Sequence, residues 1–173
     1  MQLTKLGPIR QIAYVVPEIE TAASLWIEQF GAGPFFKMEE VRFPGWTYLG
    51  ESQDMPVDLM MGQLQGVMIE LIRPHSRVPS VYSHAMTEAP VLHHYGLLVG
   101  NISDATRLIG VPPLTTACSM GGTPFSYNDT RGTLGLMVEL IEAREDVCAI
   151  FDYIADASRG WDGREPVRVL NLK

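Results

Sequence analysis

The chain has 173 residues, of which 46% are hydrophobic and 19% are charged, so it can bury the core of one ordinary domain. Its formal net charge of −7 at pH 7 argues against a nucleic-acid partner and against an anionic membrane surface. No apolar run reaches the length of a membrane span, and the N-terminus has no apolar core of signal-peptide length, so we expect a cytoplasmic protein.

The first half of the chain predicts one strand, one helix and then further strands. A strand is expected over residues 9–16, and residues 18–30 carry apolar side chains at helical spacing before a Gly-Ala-Gly-Pro run. Strand-like runs follow at 35–43, 46–49, 57–61 and 67–72. Residues 75–90 read as a connector, with a short helix around 82–87.

The second half predicts the same order of elements. A strand over residues 94–99 leads into a short helix over 103–108. Strands are expected at 114–119, 124–129 and 136–142. From residue 145 onwards, apolar side chains recur at helical spacing, which predicts a C-terminal helix.

These elements divide the chain into two modules within a single domain spanning residues 1–173. Neither half is large enough to bury its core well alone, so we expect one compact unit. The tail helix offers an apolar stripe that could cover the sheet or a partner chain, and we expect a homodimer. The parts are a first module at 8–74, a connector at 75–90, a second module at 91–143 and a helical tail at 144–173.

Two seven-residue runs, at 66–72 and 135–141, are nearly identical. Each would be a strand with a carboxylate at its centre, Glu70 in one copy and Glu139 in the other. A carboxylate among apolar neighbours is costly unless something compensates it. Because the costly residue is duplicated, the pattern suggests a paired function, and a metal between the two copies is the simplest compensation.

The duplication extends upstream to the first strand of each module. Residues 11–22 align with 94–105, so the two strands begin with Gln11 and His94, both of which can bind a metal. Alternation along a strand places Gln11 on the same face as Ala13, and His94 on the same face as Gly96. If those faces line a cleft, the small residues leave room for a substrate.

Two βαβββ modules, each opening with a polar residue and closing with Glu, resemble the vicinal oxygen chelate superfamily. Its members include glyoxalase I, methylmalonyl-CoA epimerase, extradiol dioxygenases and bleomycin-resistance proteins. Residues 11–16 and 92–96, together with the Glu-Leu-Ile ending of each module, are most similar to the epimerase and glyoxalase branch. The resemblance implies an α+β, glyoxalase-like fold in which both modules form one curved mixed sheet around a cleft.

The same resemblance implies one divalent metal ion held by four side chains, Gln11, Glu70, His94 and Glu139. Such a set of nitrogen and oxygen ligands suits Zn, Co, Ni, Mn or Fe(II). Gln11 departs from the epimerase pattern, which usually has His there, and is similar to some glyoxalase I proteins. The adjacent His93 is expected to be structural or to lie at the rim of the cleft.

For this branch, the resemblance implies an isomerase, epimerase or lyase that removes a proton next to a carbonyl of a small metabolite or thioester, while the metal stabilises the enolate. Glu139 is the first candidate for the base and Glu70 the second. Asp58 is either the opposing acid or a turn residue. Two alternatives stay open: a metal-free protein that binds a small molecule, and an Fe(II) extradiol dioxygenase, whose ligands are two His and one carboxylate.

Overall fold

The computed structural model of the chain describes residues 6–170, which form one mixed sheet of eleven strands with helices on both of its faces. The strands are β1 (Ile9–Val15), β2 (Phe35–Val41), β3 (Thr47–Tyr48), β4 (Glu51–Ser52), β5 (Val57–Leu64), β6 (Val67–Pro74), β7 (Val91–Val99), β8 (Pro113–Cys118), β9 (Pro124–Asn128), β10 (Met137–Glu142) and β11 (Val167–Val169). The helices are α1 (Ile19–Phe30), α2 (Ile102–Ile109), α3 (Arg131–Leu134) and α4 (Glu145–Ser158).

Both modules have the predicted βαβββ order and meet at the centre of the sheet. Strands run β2-β5-β6-β1 in the first module and β7-β10-β9-β8 in the second, so β1 and β7 are neighbours. They pair antiparallel, whereas β1 with β6 and β7 with β10 pair parallel. The predicted glyoxalase-like fold with a C-terminal helix is confirmed.

The predicted strand at 46–49 does not belong to the sheet of the first module. Its two-residue remnant β3 forms a hairpin with β4 and pairs with β8 of the second module. Leu49 and Gly50 make the hairpin turn with φ of 53° and 85°, the two positive values that a tight turn of this kind requires. The hairpin segment places the buried side chain of Trp46 in the apolar core that both modules share.

The two faces of the sheet bury different apolar clusters. On the outer face, α1 packs over Met60, Ile69 and Leu71 of the first module, and α2 packs over Leu140 of the second. The inner face carries the largest cluster, which draws residues from both modules. Strand alternation places Glu70 and Glu139 on this inner face, because their alternate neighbours belong to that cluster.

Helix α4 lies across the inner face and packs on β5 and β6. Of the apolar residues that recur at helical spacing, Val147, Phe151 and Ile154 are buried and Ile150 is half-buried. The connector contains only a single 3₁₀ turn, at Ser83–Ala85, in place of the predicted helix at 82–87. Within residues 6–170, no helix is long and apolar enough to cross a membrane.

Candidate metal centre

The four central strands bring the polar positions of the repeat together. Ala13 on β1 lies opposite Glu70 on β6, and Gly96 on β7 lies opposite Glu139 on β10. Gln11 and His94, two positions before Ala13 and Gly96, are likewise opposite Met68 of β6 and Met137 of β10. The sequence repeat is therefore in register in three dimensions, and it converges where the two modules meet.

Glu70, His94 and Glu139 form a buried cluster on the inner face. One potential ligand atom from each residue lies within 4.8 Å of the other two. Nε2 of His94 is 3.1 Å from Oε2 of Glu139 and 3.6 Å from Oε2 of Glu70. The side chains are at most 11% exposed, so water screens these groups little.

Two atoms of this cluster are buried and have no hydrogen-bond partner, Nε2 of His94 and Oε2 of Glu139. Leaving such a group unsatisfied costs about 1–3 kcal/mol. A divalent cation would satisfy both atoms, because an imidazole lone pair and a carboxylate oxygen are ordinary ligands. The cluster therefore fits a divalent metal, and its nitrogen and oxygen donors suit Zn, Co, Ni, Mn or Fe(II).

His93 fixes the orientation of the His94 ring. Nε2 of His93 lies 3.0 Å from the Val81 carbonyl oxygen, which can only accept, so this nitrogen carries the proton. Nδ1 of His93 then accepts from Nδ1 of His94, at 2.9 Å. Nε2 of neutral His94 is consequently left with its lone pair facing the two carboxylates, which is the tautomer that ligates a metal.

The sequence predicted that His93 would be structural or at the cleft rim, and the structure places it fully buried behind the site. Adjacent residues of a regular strand point to opposite faces. The β1–β7 register slips between the pairs Ala13–His94 and Tyr14–Leu92, so His93 is the extra residue of a β-bulge. The adjacent His93 and His94 were the only sequence signal for this contact. The β-bulge that lets the two rings hydrogen-bond has no sequence signature.

Burial sets the protonation of the cluster. It lowers the pKa of His94 to about 3 and raises the pKa of Glu139 to about 8, the latter against the opposing effect of the Tyr127 hydroxyl. The pKa of Glu70 is also raised well above its ordinary value, first by burial and then by the Glu139 charge. His94 is thus neutral and its contacts are not ion pairs. Without a cation, a protonated Glu139 can donate to Nε2 of His94 across the 3.1 Å contact, so a shared proton and a metal are alternative ways to satisfy this pair.

Gln11 lies in the same place and is 3% exposed. Its Nε2 donates to Oε2 of Glu70 at 2.6 Å, so the amide nitrogen contacts the cluster. As a fourth ligand, Gln11 would have to present its amide oxygen instead. Gly96 makes this packing possible, because a Cβ there would lie 2.9 Å from Cβ of Gln11 and 3.4 Å from Oε2 of Glu139. The small residue expected to make room for substrate thus makes room for the site's own side chains.

Asp58 does not join this cluster. It follows the alternation of β5 onto the outer face, since its neighbour Leu59 lines the inner cavity. It accepts from Arg73, from the Glu40 backbone N–H at 2.9 Å and from His75 at 2.8 Å. Burial raises the pKa of Asp58, but those three donors outweigh burial and lower it. This position does not support the expected role as opposing acid, and Asp58 instead ties β5 to the end of β6.

A cavity of about 100 Å³ opens over the cluster. Gln11, Glu70 and Glu139 provide polar groups at its floor. The hydroxyls of Tyr82 and Tyr127, 3.3 Å apart, belong to rings that also line it. The walls are mostly aromatic and methionine side chains: Phe43, Phe125, Phe151, Met38, Met61 and Met120. Sequence reasoning did not identify the tyrosine pair, because Tyr82 comes from the connector.

Comparison with known proteins identifies the family. The model of the Glyoxalase/Bleomycin resistance protein/Dioxygenase superfamily matches residues 10–109, more than half of the chain. The chain belongs to that superfamily. No curated protein matches the sequence.

Solved structures show the same fold at low identity. Methylmalonyl-CoA epimerase from Mycobacterium tuberculosis has a TM-score of 0.60 and 16% identity, over 86% of this chain and 97% of that one. A hypothetical protein from Bacillus halodurans has a TM-score of 0.59 and 16% identity, over 80% and 95%. A variant of Streptomyces coelicolor methylmalonyl-CoA epimerase with 2-nitronate-propionyl-CoA has a TM-score of 0.56 and 17% identity, over 82% and 97%.

Proposed function

We propose that the chain is a metal-dependent isomerase or epimerase that moves a proton at a carbon next to a carbonyl group. The observation that carries this proposal is the buried Glu70, His94 and Glu139 cluster with two unpartnered ligand atoms. The superfamily membership and the fold shared with methylmalonyl-CoA epimerases agree with proton-transfer chemistry. The site combines what such a reaction needs, namely a place for a cation, a carboxylate base and a mostly apolar cavity.

Glu70, His94 and Glu139 would hold the metal, with the amide oxygen of Gln11 as the fourth candidate ligand. When bound, a divalent cation would supply Lewis-acid stabilisation of the negative charge that develops on a substrate oxygen. The protein's own contribution is to hold His94 in the ligating tautomer through His93 and to exclude water from the carboxylates.

Glu139 is the proposed base. Its Oε2 is unpartnered and its side chain lines the cavity, whereas Oε2 of Glu70 is held by Gln11. Burial raises the pKa of Glu139 in the metal-free protein, whereas a bound cation would lower it. Glu139 would therefore act as the base only while its carboxylate is not coordinated. Glu70 remains the second candidate, because it reaches the same cavity from the adjacent module. Tyr82 and Tyr127, whose pKa values burial keeps high, stay neutral. Because one hydroxyl donates to the other, only one of the two protons is available to a substrate oxygen.

The donor set distinguishes this proposal from a dioxygenase. An Fe(II) site of the dioxygenase type uses two His and one carboxylate. Among residues 6–170, the cluster offers one imidazole and two carboxylates, and His93 turns its Nδ1 to His94 rather than to the cavity. The site therefore favours proton transfer over oxygen chemistry.

The test is exchange of substrate hydrogen with solvent deuterium, followed by NMR. Ketones, β-dicarbonyl compounds and acyl-CoA thioesters are incubated with metal-loaded protein, and the expected result is exchange at the carbon next to the carbonyl of at least one compound. Glu139→Gln should lower the rate roughly 10²–10⁴-fold while the protein stays folded. Exchange that survives in Glu139→Gln but is lost in Glu70→Gln would assign the base to Glu70. Absence of exchange across the panel would refute the proposal.

A further inference from the structure

Two buried hydroxyl groups lie in the cavity but are not part of the metal cluster. Tyr127, on β9, is 3% exposed, and Tyr82, in the connector, is 1% exposed. Both rings line the cavity whose floor carries Glu70 and Glu139. The two hydroxyl oxygens lie 3.3 Å apart. Leaving a buried hydroxyl without an acceptor is costly, so each of the two protons needs one.

Tyr127 lies beside the metal cluster. It is directly opposite Glu139 in the antiparallel pair of β9 and β10, so the two side chains are neighbours on the inner face. The centroid of its ring is 5.0 Å from that of the His94 ring. Burial raises the pKa of Glu139 and the Tyr127 hydroxyl opposes this rise, as a nearby donor does. The proton of Tyr127 can therefore reach the place where a substrate would meet the cluster.

Tyr82 has a different environment. Its ring packs against Trp46, with centroids 5.8 Å apart, and against His93, with centroids 5.1 Å apart. Within residues 6–170, the Tyr82 hydroxyl has one hydrogen-bond partner, the hydroxyl of Tyr127. The position of the Tyr82 ring is thus fixed on both sides, and its hydroxyl is directed at Tyr127.

These contacts decide the direction of the hydrogen bond between the two hydroxyls. If Tyr127 donated to Tyr82, the proton of Tyr82 would have no acceptor in the part of the chain that the structure describes. If Tyr82 donates to Tyr127, the proton of Tyr127 is directed toward Glu139 or toward a ligand oxygen in the cavity. Only the second arrangement gives both protons an acceptor, so Tyr127 holds the available proton.

Consecutive residues of the connector thus support two groups of the second module. The Val81 carbonyl accepts from His93, which orients His94. The next residue, Tyr82, orients the hydroxyl of Tyr127. Hydrogen bonds within the turn hold this segment in place, from the Ser80 N–H to the Ser83 hydroxyl at 2.8 Å and from the Ala85 N–H to the Tyr82 carbonyl at 2.9 Å.

We propose that Tyr127 is a catalytic residue that donates a hydrogen bond to the substrate carbonyl oxygen, and that Tyr82 is its positioning residue. This proposal rests on the proposed function. When the C–H bond next to the carbonyl breaks, its proton goes to the base carboxylate and its electron pair moves onto the carbonyl oxygen. Tyr127 keeps its own proton and donates to that oxygen throughout. Because a hydrogen bond to a charged oxygen is stronger than one to a neutral carbonyl, the contact favours the transition state.

Binding of tropolone tests the donor role, because its anion is flat and carries the charge of an enolate on two neighbouring oxygens. Calorimetry with Zn²⁺-loaded protein should show that Tyr127→Phe weakens binding about 10–100-fold, the usual effect of losing a hydrogen bond to a charged group. Zn²⁺ affinity should not change. Tyr14→Phe is the matched control, because Tyr14 packs on Trp26 of α1 and should leave tropolone binding unaltered. Equal affinities of Tyr127→Phe and wild type, or no binding by wild type, would overturn the proposal.

Two further variants test the direction of the hydrogen bond. Tyr82→Phe removes the residue that orients Tyr127, so it should weaken tropolone binding less than Tyr127→Phe does. The double variant should lose no more affinity than Tyr127→Phe alone, because Tyr82 acts through Tyr127. The double variant also leaves no tyrosine proton unpaired, so it replaces Tyr127→Phe in the comparison if that variant does not fold. A larger loss in Tyr82→Phe than in Tyr127→Phe would overturn the assignment of the two roles.

Deuterium exchange, measured separately, keeps the two proposals apart. Tyr127→Phe should lower kcat for exchange more than it raises KM, which a purely structural role would not do. Exchange by wild type that is undiminished in Tyr127→Phe overturns the role of Tyr127 and leaves the proposed function standing. Loss of tropolone binding in Tyr127→Phe, with no exchange of any compound by wild type, refutes the proposed function and leaves Tyr127 as the donor to a bound oxyanion.

Discussion

The Nδ1 atoms of His93 and His94 lie 2.9 Å apart, although the two residues are adjacent in one strand. The β-bulge in β7 turns both rings toward the inner face. Hydrogen bonds from the Val81 carbonyl through His93 to His94 form a relay, and the Val81 carbonyl fixes the proton positions along it. One backbone carbonyl thereby determines that the His94 nitrogen facing the two glutamates carries a lone pair and not a proton. His93 is a positioning residue whose effect reaches the site only through His94.

Replacing His93 should weaken metal binding without removing a ligand. His93→Phe deletes the acceptor for Nδ1 of His94, and we expect roughly a 10–100-fold loss of Mn²⁺ affinity, the usual effect of losing such an outer partner. His93→Asn places a carbonyl oxygen near the position of Nδ1, so it should recover part of that affinity. Titration of the metal-free proteins measures both. His93→Phe binding as tightly as wild type, or no difference between the variants, would show that the relay has no role.

Gly96 should tolerate no side chain. Gly96→Ala puts a Cβ 2.9 Å from Cβ of Gln11, and overpacking of this kind costs about 1–3 kcal/mol. Gly100→Ala is the matched control, because nothing lies within 4 Å of a Cβ there. Urea unfolding of the metal-free proteins gives the free energies of unfolding. Equal stability of the two variants would mean that the close approach of Gln11 to β7 is absent in solution.

The repeat in the sequence singled out the two glutamates and their partner strands, and the resemblance that it carried implied the fold and the ligand set. The structure brings these positions together because strand alternation and parallel pairing convert equal spacing into proximity. The repeat could not predict His93, which depends on a bulge, or Tyr82, which the connector brings to the cavity. Asp58 was a candidate because the epimerase-like pattern carries an acidic residue at its position, with a turn residue as the alternative. Alternation puts Asp58 and Leu59 on opposite faces of β5, but only the structure shows that Leu59 is the one on the inner face.

The stability of the metal-free protein should fall as pH rises. Burial raises the pKa of Glu139 from its ordinary value of 4.5 to about 8, so the folded state favours the protonated carboxyl. The associated stability is present below about pH 4.5 and is lost as pH rises toward about 8. We expect the Tm of wild type to drop across this window more than that of Glu139→Gln, which does not titrate. Tm profiles of wild type and Glu139→Gln that run parallel across this pH range would contradict the raised pKa of Glu139.

A bound metal should oppose this loss of stability at higher pH. Mn²⁺ neutralises the carboxylates and binds only the folded protein, so the stabilisation that it gives should grow as pH rises through the same window. Thermal unfolding with and without Mn²⁺ at several pH values measures this stabilisation. A constant or shrinking effect of Mn²⁺ would argue against binding at Glu139.

Gln11→His should tighten metal binding. An imidazole is a better ligand than an amide oxygen for these metals, and the position is equivalent to that of His94 in the other module. Gln11→Leu, which is similar in size and offers no ligand, should weaken binding. Competition with a chelator ranks the three proteins. The opposite order, with Gln11→His weakest, would place Gln11 outside the ligand set.

The most direct test of the account is the metal stoichiometry of His94→Ala. Metal-free wild-type protein titrated with Zn²⁺ or Mn²⁺ should bind one ion per chain, and His94→Ala should lose most of that binding. His75→Ala serves as the control, because His75 contacts Asp58 on the outer face and should leave metal binding unchanged. Full stoichiometry at undiminished affinity in His94→Ala, or no binding by the wild type, would contradict a metal centre formed by Glu70, His94 and Glu139.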